Sequence, residues 1–194
     1  MKLTREILWA IVGLILTIGG TFLEAHVANP SAIWAQENVK ILSLGVTYQI
    51  GAVLLVGCLG GKNAAVISQI AYIFLGLTLL PIFSQGGGFG YLKEPSFGYL
   101  LGFIPGAWVC GKLADRAAPK LELLAFSCLN GLLAIHLVGL SYLILSKIFT
   151  VFSSGSFPIL WAIKTYSISP LPGQMAVVCA VTVLAYLLRR AMFY

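Results

Sequence analysis

Apolar residues fall into six long runs along this chain, and short polar or glycine-rich segments separate the runs. The runs cover residues 7–23, 41–59, 64–80, 97–111, 121–146 and 173–189. A helix rises about 1.5 Å per residue and needs about 20 mainly apolar residues to cross a membrane. The pattern therefore predicts an all-α membrane protein, with six transmembrane helices in one domain that comprises residues 1–194.

The composition agrees with a membrane location. Of the 194 residues, 59% are hydrophobic and only 9% are charged. So few charged side chains could not cover the surface of a soluble domain. The composition therefore excludes an ordinary soluble protein and leaves no room for a separate soluble domain between the runs.

The basic residues indicate an orientation in the membrane. If the N-terminus is inside, eight of the 12 lysines and arginines lie in the inner segments: Lys2, Arg5, Lys62, Lys112, Arg116, Lys120, Arg189 and Arg190. The outer segments hold Lys40, Lys93, Lys147 and Lys164. An excess of basic residues on the cytoplasmic side sets orientation. The chain is therefore expected in the plasma membrane with both termini in the cytoplasm, and its net charge of +6 reflects topology, not affinity for nucleic acid.

The outer connection before the fourth run is rich in glycine and aromatic residues. It reads PIFSQGGGFGYLKEPSFGYLLGF and covers residues 81–103. Gly86 and Gly87 can adopt positive φ and allow the backbone to approach a ligand closely, and Phe83 and Tyr91 can supply flat apolar walls. Long outer loops over a compact bundle favour a pocket that is open to the outside.

The start of the fourth run carries two glycines four residues apart, Gly98 and Gly102, beside the aromatic Tyr99. This spacing leaves one helix face without side chains, against which a ligand or another helix can pack. Two interpretations of the whole stretch follow from the residues alone. One is a substrate-binding site, and the other is a flexible hairpin followed by a helix-packing motif.

Residues 72–103 resemble the signature region of the BioY family, the biotin-specific membrane subunits of energy-coupling-factor (ECF) transporters. The matching positions are Tyr72, Gly76, Leu80, Pro81, Phe83, Pro95, Gly98, Tyr99, Leu100, Gly102 and Phe103. The resemblance implies an ECF S-component-like bundle that binds biotin with high affinity on its outer side. It also implies partners, namely a membrane coupling subunit and cytoplasmic ATPases that hydrolyse ATP, so that this chain needs no cofactor and is not an enzyme.

The chain departs from the family near its last run. Family members carry a Pro-Phe-x-x-x-Asp-x-x-Lys pattern there, and the corresponding stretch SPLPGQMAVV has Gln174 at the Asp position and Val177 at the Lys position. Glutamine can hydrogen-bond a ureido group, whereas valine cannot pair with a carboxylate. Lys93 and Lys164 are then candidates for holding the biotin carboxylate, or they are solvated loop lysines.

Three glutamines lie within or beside the apolar runs: Gln49, Gln69 and Gln174. A polar group without a hydrogen-bond partner is costly inside a membrane. Each of the three side chains could therefore bind the ureido group of biotin. Gln49 and Gln69 could instead form hydrogen bonds between helices.

Small residues occupy one face of the first run, at Ala10, Gly13 and Thr17. Small residues at three- and four-residue spacing permit close contact between helices. Because the resemblance implies that the first helix docks on the coupling subunit, this face is the expected docking surface. Packing within the chain is the alternative.

The remaining reactive side chains do not form a catalytic or metal-binding motif in the sequence. Cys58, Cys110, Cys128 and Cys179 lack Cys-x-x-Cys spacing and are interpreted as small buried hydrophobic residues. His26 and His136 are far apart in the chain. Two other functions stay open: an S-component for another vitamin or a biotin precursor, and a membrane scaffold protein that transports nothing.

Overall fold

The computed structural model describes residues 2–28, 41–118, 120–148 and 158–193, which form a mostly helical bundle with a small β-hairpin at one end. Lys40 lies outside these ranges. The helices are α1 (Lys2–Phe22), α2 (Gln49–Thr78), α3 (Phe97–Ala114), α4 (Leu121–Ile148), α5 (Ile159–Ile163) and α6 (Leu171–Phe193). The strands are β1 (Glu24–Ala28) and β2 (Ile41–Thr47), and two short turns of helix cover Phe89–Lys93 (3₁₀) and Lys164–Ile168 (π).

Within the described ranges, five helical stretches are long and apolar enough to cross a membrane. They are Leu3–Phe22, Gln49–Thr78, Phe97–Ala114, Leu121–Ile148 and Ile159–Met192. The predicted helical membrane protein is thus confirmed in its general class. The predicted number of six spans is not, because the runs at residues 41–59 and 64–80 both contribute to α2.

Helix α2 reverses its direction at Gly61, where the backbone leaves the helical region with φ 78° and ψ 173°. Nε2 of Gln49 donates a hydrogen bond of 2.9 Å to the Tyr72 hydroxyl. Residues 23 positions apart in a straight helix would be separated by about 34 Å. Residues 49–60 and 62–78 must therefore run side by side in opposite directions, and glycine permits the positive φ that this turn requires.

The prediction of a helix over residues 41–59 is wrong for its first part. Ile41–Thr47 is strand β2, which pairs antiparallel with β1, with Ala28 opposite Ile41. The fold is therefore not all-α. Gly45 has a φ of 65°, which a helix does not accommodate. We call the end of the bundle that carries this hairpin the hairpin end, and the opposite end the Gly61 end.

Helices α3 and α4 contact each other through their backbones. A Cβ atom on Gly102 would lie 2.7 Å from the carbonyl oxygen of Ile135, and one on Gly106 would lie 2.9 Å from that of Gly131. One turn earlier, Gly98 packs against the ring of Tyr142 on α4. The glycines of α3 therefore let two helices approach closely, as small residues do in membrane proteins.

The small face of α1 packs against α2. Ala10 and Thr17 are buried, and a Cβ atom on Gly13 would lie 2.8 Å from Val56. Nε2 of Gln69 donates to the Thr17 hydroxyl at 3.1 Å. The expectation that Ala10, Gly13 and Thr17 form a docking surface for a coupling subunit is therefore wrong, because an intramolecular contact already covers this face.

At the Gly61 end, α6 is tied to the end of α3. Nη1 of Arg189 donates to the carbonyl oxygen of Ala114 at 2.8 Å, and Nη2 lies 3.5 Å from Asp115. Partial burial raises the pKa of Asp115, while the nearby positive charge of Arg189 opposes this shift. This contact joins the end of α6 to the end of α3, while the body of α6 packs against α2 and α4.

Candidate functional site

A cavity of about 270 Å³ opens at the hairpin end, close to the lower limit of about 300 Å³ for small-ligand pockets. Five parts of the chain contribute to it: β2 with the start of α2, the glycine-rich loop, the start of α3, the π turn and the start of α6. The lining residues are Gly45, Val46, Thr47, Gln49, Ile50, Ser84, Gln85, Tyr91, Ser96, Tyr99, Leu100, Phe103, Thr165, Tyr166, Pro170 and Gln174.

The lining of this cavity combines neutral polar groups with apolar surface. Ten of its sixteen residues carry a hydroxyl or amide side chain, and Leu100 and Phe103 add apolar surface from α3. Among the residues that the structure describes, no charged side chain lines the cavity. Such a lining suits a ligand with a neutral polar group on an apolar body.

A chain of hydrogen bonds fixes the side chain of Gln174. The Tyr99 hydroxyl lies 2.6 Å from Oγ of Ser167, which lies 3.2 Å from Nδ1 of His136. Nε2 of His136 lies 2.7 Å from Oε1 of Gln174. The amide oxygen of Gln174 is an acceptor, so His136 donates to it from Nε2, and in the neutral imidazole Nδ1 is then the acceptor for the Ser167 hydroxyl. The amide nitrogen of Gln174 is then left to donate into the cavity.

A hydrogen bond also orients the side chain of Gln49, but here the bonded group is the amide nitrogen. The hydroxyl of Tyr72 donates to the carbonyl oxygen of Ile82 at 3.1 Å, so its oxygen accepts the bond from Nε2 of Gln49. Oε1 of Gln49 is then left as an acceptor for the cavity. The two cavity glutamines therefore present opposite groups, a carbonyl oxygen from Gln49 and an amide nitrogen from Gln174.

Aromatic rings form much of the remaining wall. The rings of Tyr99 and Tyr166 lie 6.1 Å apart with an interplanar angle of 32°. Tyr91 accepts a hydrogen bond from the Ser96 hydroxyl at 3.1 Å. Phe83 lies behind Tyr91, with ring centroids 4.6 Å apart, and is almost completely buried. These contacts hold the tyrosines in place before any ligand arrives.

The glycines of the loop bring its backbone close to α2. The amide of Gly88 donates to the carbonyl oxygen of Gly76 at 2.8 Å, and a Cβ atom on Gly87 would lie 2.7 Å from that same oxygen. Gly86 has a φ of 114° and exchanges two backbone hydrogen bonds with Phe83. The close backbone approach that the sequence suggested is therefore made to a helix, and it shapes the wall of the cavity.

Three of the ten predicted site residues line the cavity, namely Tyr91, Tyr99 and Gln174. The other seven lie elsewhere. Phe83, Gly86 and Gly87 lie behind the wall of the cavity, and Gly98 and Gly102 pack against α4. Lys93 and Lys164 are exposed on the surface. Lys164 directly precedes the lining residue Thr165. Lys93 follows the lining residue Tyr91 by two positions.

Sequence reasoning missed His136 and Ser167, which orient Gln174. Their contacts join residues 31 and 38 positions apart, and no local spacing reveals such pairs. A histidine inside an apolar run was the available signal, because ionisable residues there are costly.

Gln69 does not reach the cavity. Its amide nitrogen bonds Thr17 and Ser68, and its Oε1 has no hydrogen-bond partner within the described ranges.

The sequence of this chain matches a known protein family over almost its whole length. The sequence model of the BioY family matches residues 4–193. The chain is 38% identical over 120 residues to a probable biotin transporter BioY of Lysinibacillus sphaericus, and the aligned part spans 61% of each protein. It is 35% identical over 132 residues to the biotin transporter BioY of Thermotoga maritima, over 66% of this chain and 78% of that protein.

The fold has a counterpart among solved structures. The crystal structure of the S-component for biotin from an ECF-type ABC transporter superposes with a TM-score of 0.65, covering 97% of this chain and 90% of that chain. Sequence identity is 20%, so the likeness concerns the fold. Together with the apolar helices, these similarities identify a multi-pass membrane protein.

Proposed function

The chain belongs to the BioY family, and from this premise we propose that it is the biotin-binding membrane subunit of an ECF-type transporter and takes part in biotin uptake. The observation that carries the proposal is the pair of oppositely oriented glutamines in the cavity, Gln49 and Gln174. The ureido group of biotin has two N–H donors and one carbonyl acceptor. Gln49 can accept from a ureido N–H while Gln174 donates to the ureido oxygen.

The other parts of biotin match the rest of the cavity. The fused ring and alkyl chain fit the surface of Leu100, Phe103 and the tyrosine rings. No charged side chain of the described ranges lines the cavity, so the carboxylate belongs at its mouth. Lys93 and Lys164, exposed and next to lining residues in sequence, would hold it there as rim charges.

The proposal includes a topology with six crossings. Support comes from the reversal at Gly61, since residues 49–60 and 62–78 run in opposite directions. If the N-terminus lies on the cytoplasmic side of the plasma membrane, six crossings return the C-terminus to the cytoplasm and place the hairpin end outside. This orientation agrees with the distribution of basic residues. The cavity would then open toward the external medium, where biotin is captured.

Transport further requires partner subunits in this proposal. A membrane coupling subunit and cytoplasmic ATPases would supply the energy, with ATP hydrolysed by the partners and not by this chain. Support comes from membership of the family and from the name of the structural counterpart, an S-component of an ECF-type ABC transporter. The docking surface for the partner must then differ from the buried face of α1.

The test is a calorimetric titration of the purified full-length chain with biotin, biotin amide and desthiobiotin. Saturable binding of biotin at one site per chain is the expected result. Binding of biotin that exceeds binding of the amide would locate a cation near the carboxylate. Absence of binding to all three compounds would overturn the proposal and favour a scaffold protein that transports nothing.

A second candidate is an S-component for a biotin precursor or another vitamin. The observation in its favour is the uncharged lining, together with valine at position 177, where the family has lysine. A ligand without a carboxylate needs no positively charged partner, so its affinity would not suffer from such a lining. Tighter binding of biotin amide or of another neutral vitamin than of biotin would favour this candidate.

A further inference from the structure

Three cysteines from three different helices meet at the Gly61 end of the bundle. Sγ of Cys58 on α2 lies 3.6 Å from Sγ of Cys110 on α3 and 3.6 Å from Sγ of Cys128 on α4. All three sulfur atoms lie within 4.8 Å of one another, and all three side chains are almost completely buried. The cysteines are 52 and 70 positions apart in the chain, so only the fold brings them together.

The separations of the sulfur atoms, two of 3.6 Å and a third of no more than 4.8 Å, are close to those of a trigonal metal site. Three thiolates at about 2.3 Å from a metal in their plane are separated from one another by about 4.0 Å. The observed separations from Cys58 differ from this value by a few tenths of an ångström. Small shifts of the side chains would therefore suffice to place all three sulfur atoms around one ion.

We propose that Cys58, Cys110 and Cys128 form a binding site for a soft monovalent cation with a filled d shell, such as Cu(I). The site lies at the opposite end of the bundle from the cavity and is independent of ligand recognition there. Binding breaks the three S–H bonds and forms three S–Cu(I) bonds; the three protons pass to the solvent, the complex carries a net charge of −2, and one ion links α2, α3 and α4.

The surroundings favour Cu(I) over Zn²⁺. Structural zinc sites are almost always tetrahedral and need a fourth nitrogen, oxygen or sulfur ligand. The thiols lie in a largely apolar cluster with Leu54, Leu124 and Val181, and the described residues place no histidine or carboxylate in the group of ligands. The polar neighbour of Cys128 is the neutral hydroxyl of Thr182, which already donates to the carbonyl oxygen of Val178. Soft thiolate ligands bind both Cu(I) and Zn²⁺, so the preference for Cu(I) rests on the number of ligands, three instead of four.

The experiment uses the fourth cysteine as a matched control, because Cys179 is exposed and lies outside the cluster. The full-length chain is loaded with Cu(I) under anaerobic conditions in competition with the chelator bathocuproine disulfonate. One Cu(I) per chain should be retained by the natural chain and by Cys179→Ser. Cys58→Ser should lower the affinity at least 100-fold while the thermal unfolding midpoint without copper changes little.

Two results would overturn the proposal: no Cu(I) retained against the chelator, or retention that depends on Cys179 and not on Cys58. Either would leave the three thiols as packed hydrophobic side chains. Should Cys58→Ser fail to fold, X-ray absorption of copper-loaded Cys179→Ser decides instead. Three sulfur neighbours at about 2.3 Å would support the site, whereas nitrogen or oxygen neighbours, or fewer sulfurs, would overturn it.

Discussion

The same helices are packed differently at the two ends of the bundle. At the hairpin end, the helices surround a cavity, and polar side chains such as Gln174 are held by hydrogen bonds to neighbours. At the Gly61 end, the chains close onto one another, and a Cβ atom on Gly111 would lie 2.6 Å from the backbone nitrogen of Lys62. The difference indicates a tightly packed base that supports an open cavity with oriented polar groups.

The largest expected effect comes from forcing the close-packed helices apart. Gly102→Leu would drive a side chain into the backbone of Ile135 on α4, because a Cβ atom already lies 2.7 Å from its carbonyl oxygen. Overpacking typically costs about 1–3 kcal/mol, and contact with backbone leaves little room for relief. We expect the yield of monodisperse protein to collapse, as measured by size-exclusion chromatography.

The control for this substitution is Gly19→Leu on α1. A Cβ atom on Gly19 has no atom within 4 Å, so the unfolding midpoint should stay close to that of the natural chain. Equal yields of monodisperse protein from the Gly102 and Gly19 variants would show that folding does not require the close contact between α3 and α4.

The second-largest effect is expected from a substitution in the cavity, compared with a matched substitution in the core. Gln174→Leu removes the donor that faces the ligand and should weaken biotin binding about 5- to 150-fold, the equivalent of about 1–3 kcal/mol for an unsatisfied buried group. Gln69→Leu is the matched control, because Gln69 lies in the core away from the cavity and already carries an orphaned Oε1. Calorimetry should show biotin affinity unchanged in the Gln69 variant. A comparable loss in both variants would contradict the assigned site.

A smaller effect should follow from releasing the orientation of Gln174. His136→Phe keeps an aromatic ring beside Tyr99 but removes both hydrogen bonds of the imidazole. The loss of one oriented bond corresponds to about 0.5–1.5 kcal/mol, or about a 2- to 13-fold weaker affinity for biotin.

The discriminating measurement is a double-mutant cycle with Gln174→Leu. Because His136 is expected to act through Gln174, its substitution should cost almost nothing in the Gln174→Leu background. Additive losses would mean that His136 contacts the ligand itself or only stabilises the fold.

The smallest effect is expected at the mouth of the cavity. Lys93 and Lys164 are exposed, and exposed charge pairs contribute about 0–1 kcal/mol. Lys93→Ala and Lys164→Ala should each weaken biotin binding by no more than about fivefold. The loss should shrink at high salt and should be absent for biotin amide. A salt-independent loss shared by the amide would point to a structural role for the lysine.

Local composition revealed the helices but not the hairpin. Hydropathy summed over a long window joins Ile41–Thr47 to the following helix, because both are apolar, and so the strand was predicted as part of a span. The sequence did contain a signal, since Gly45 interrupts the run and Val46 and Thr47 are β-branched. The position of the chain reversal lies in the short segment GGKN, residues 60–63, which separates the predicted runs 41–59 and 64–80.

Residues that line the cavity could be named from the sequence only where a local pattern marks them. Tyr91 and Tyr99 belong to the glycine-rich stretch and Gln174 to a motif position, and all three line the cavity. His136 and the cysteine cluster depend on contacts between helices, and spacing along the chain carries no information about such contacts. The same limit explains why the small face of α1 was assigned to a partner subunit.

The reversal at Gly61 also bears on how the chain enters a membrane during synthesis. Residues 49–60 rise only about 18 Å as a helix, well short of the roughly 30 Å hydrocarbon core. A nascent segment of that length has little tendency to stay in lipid by itself. We therefore expect the insertion machinery to admit residues 49–60 and 62–78 together, as a preformed helical pair released into the bilayer in one step.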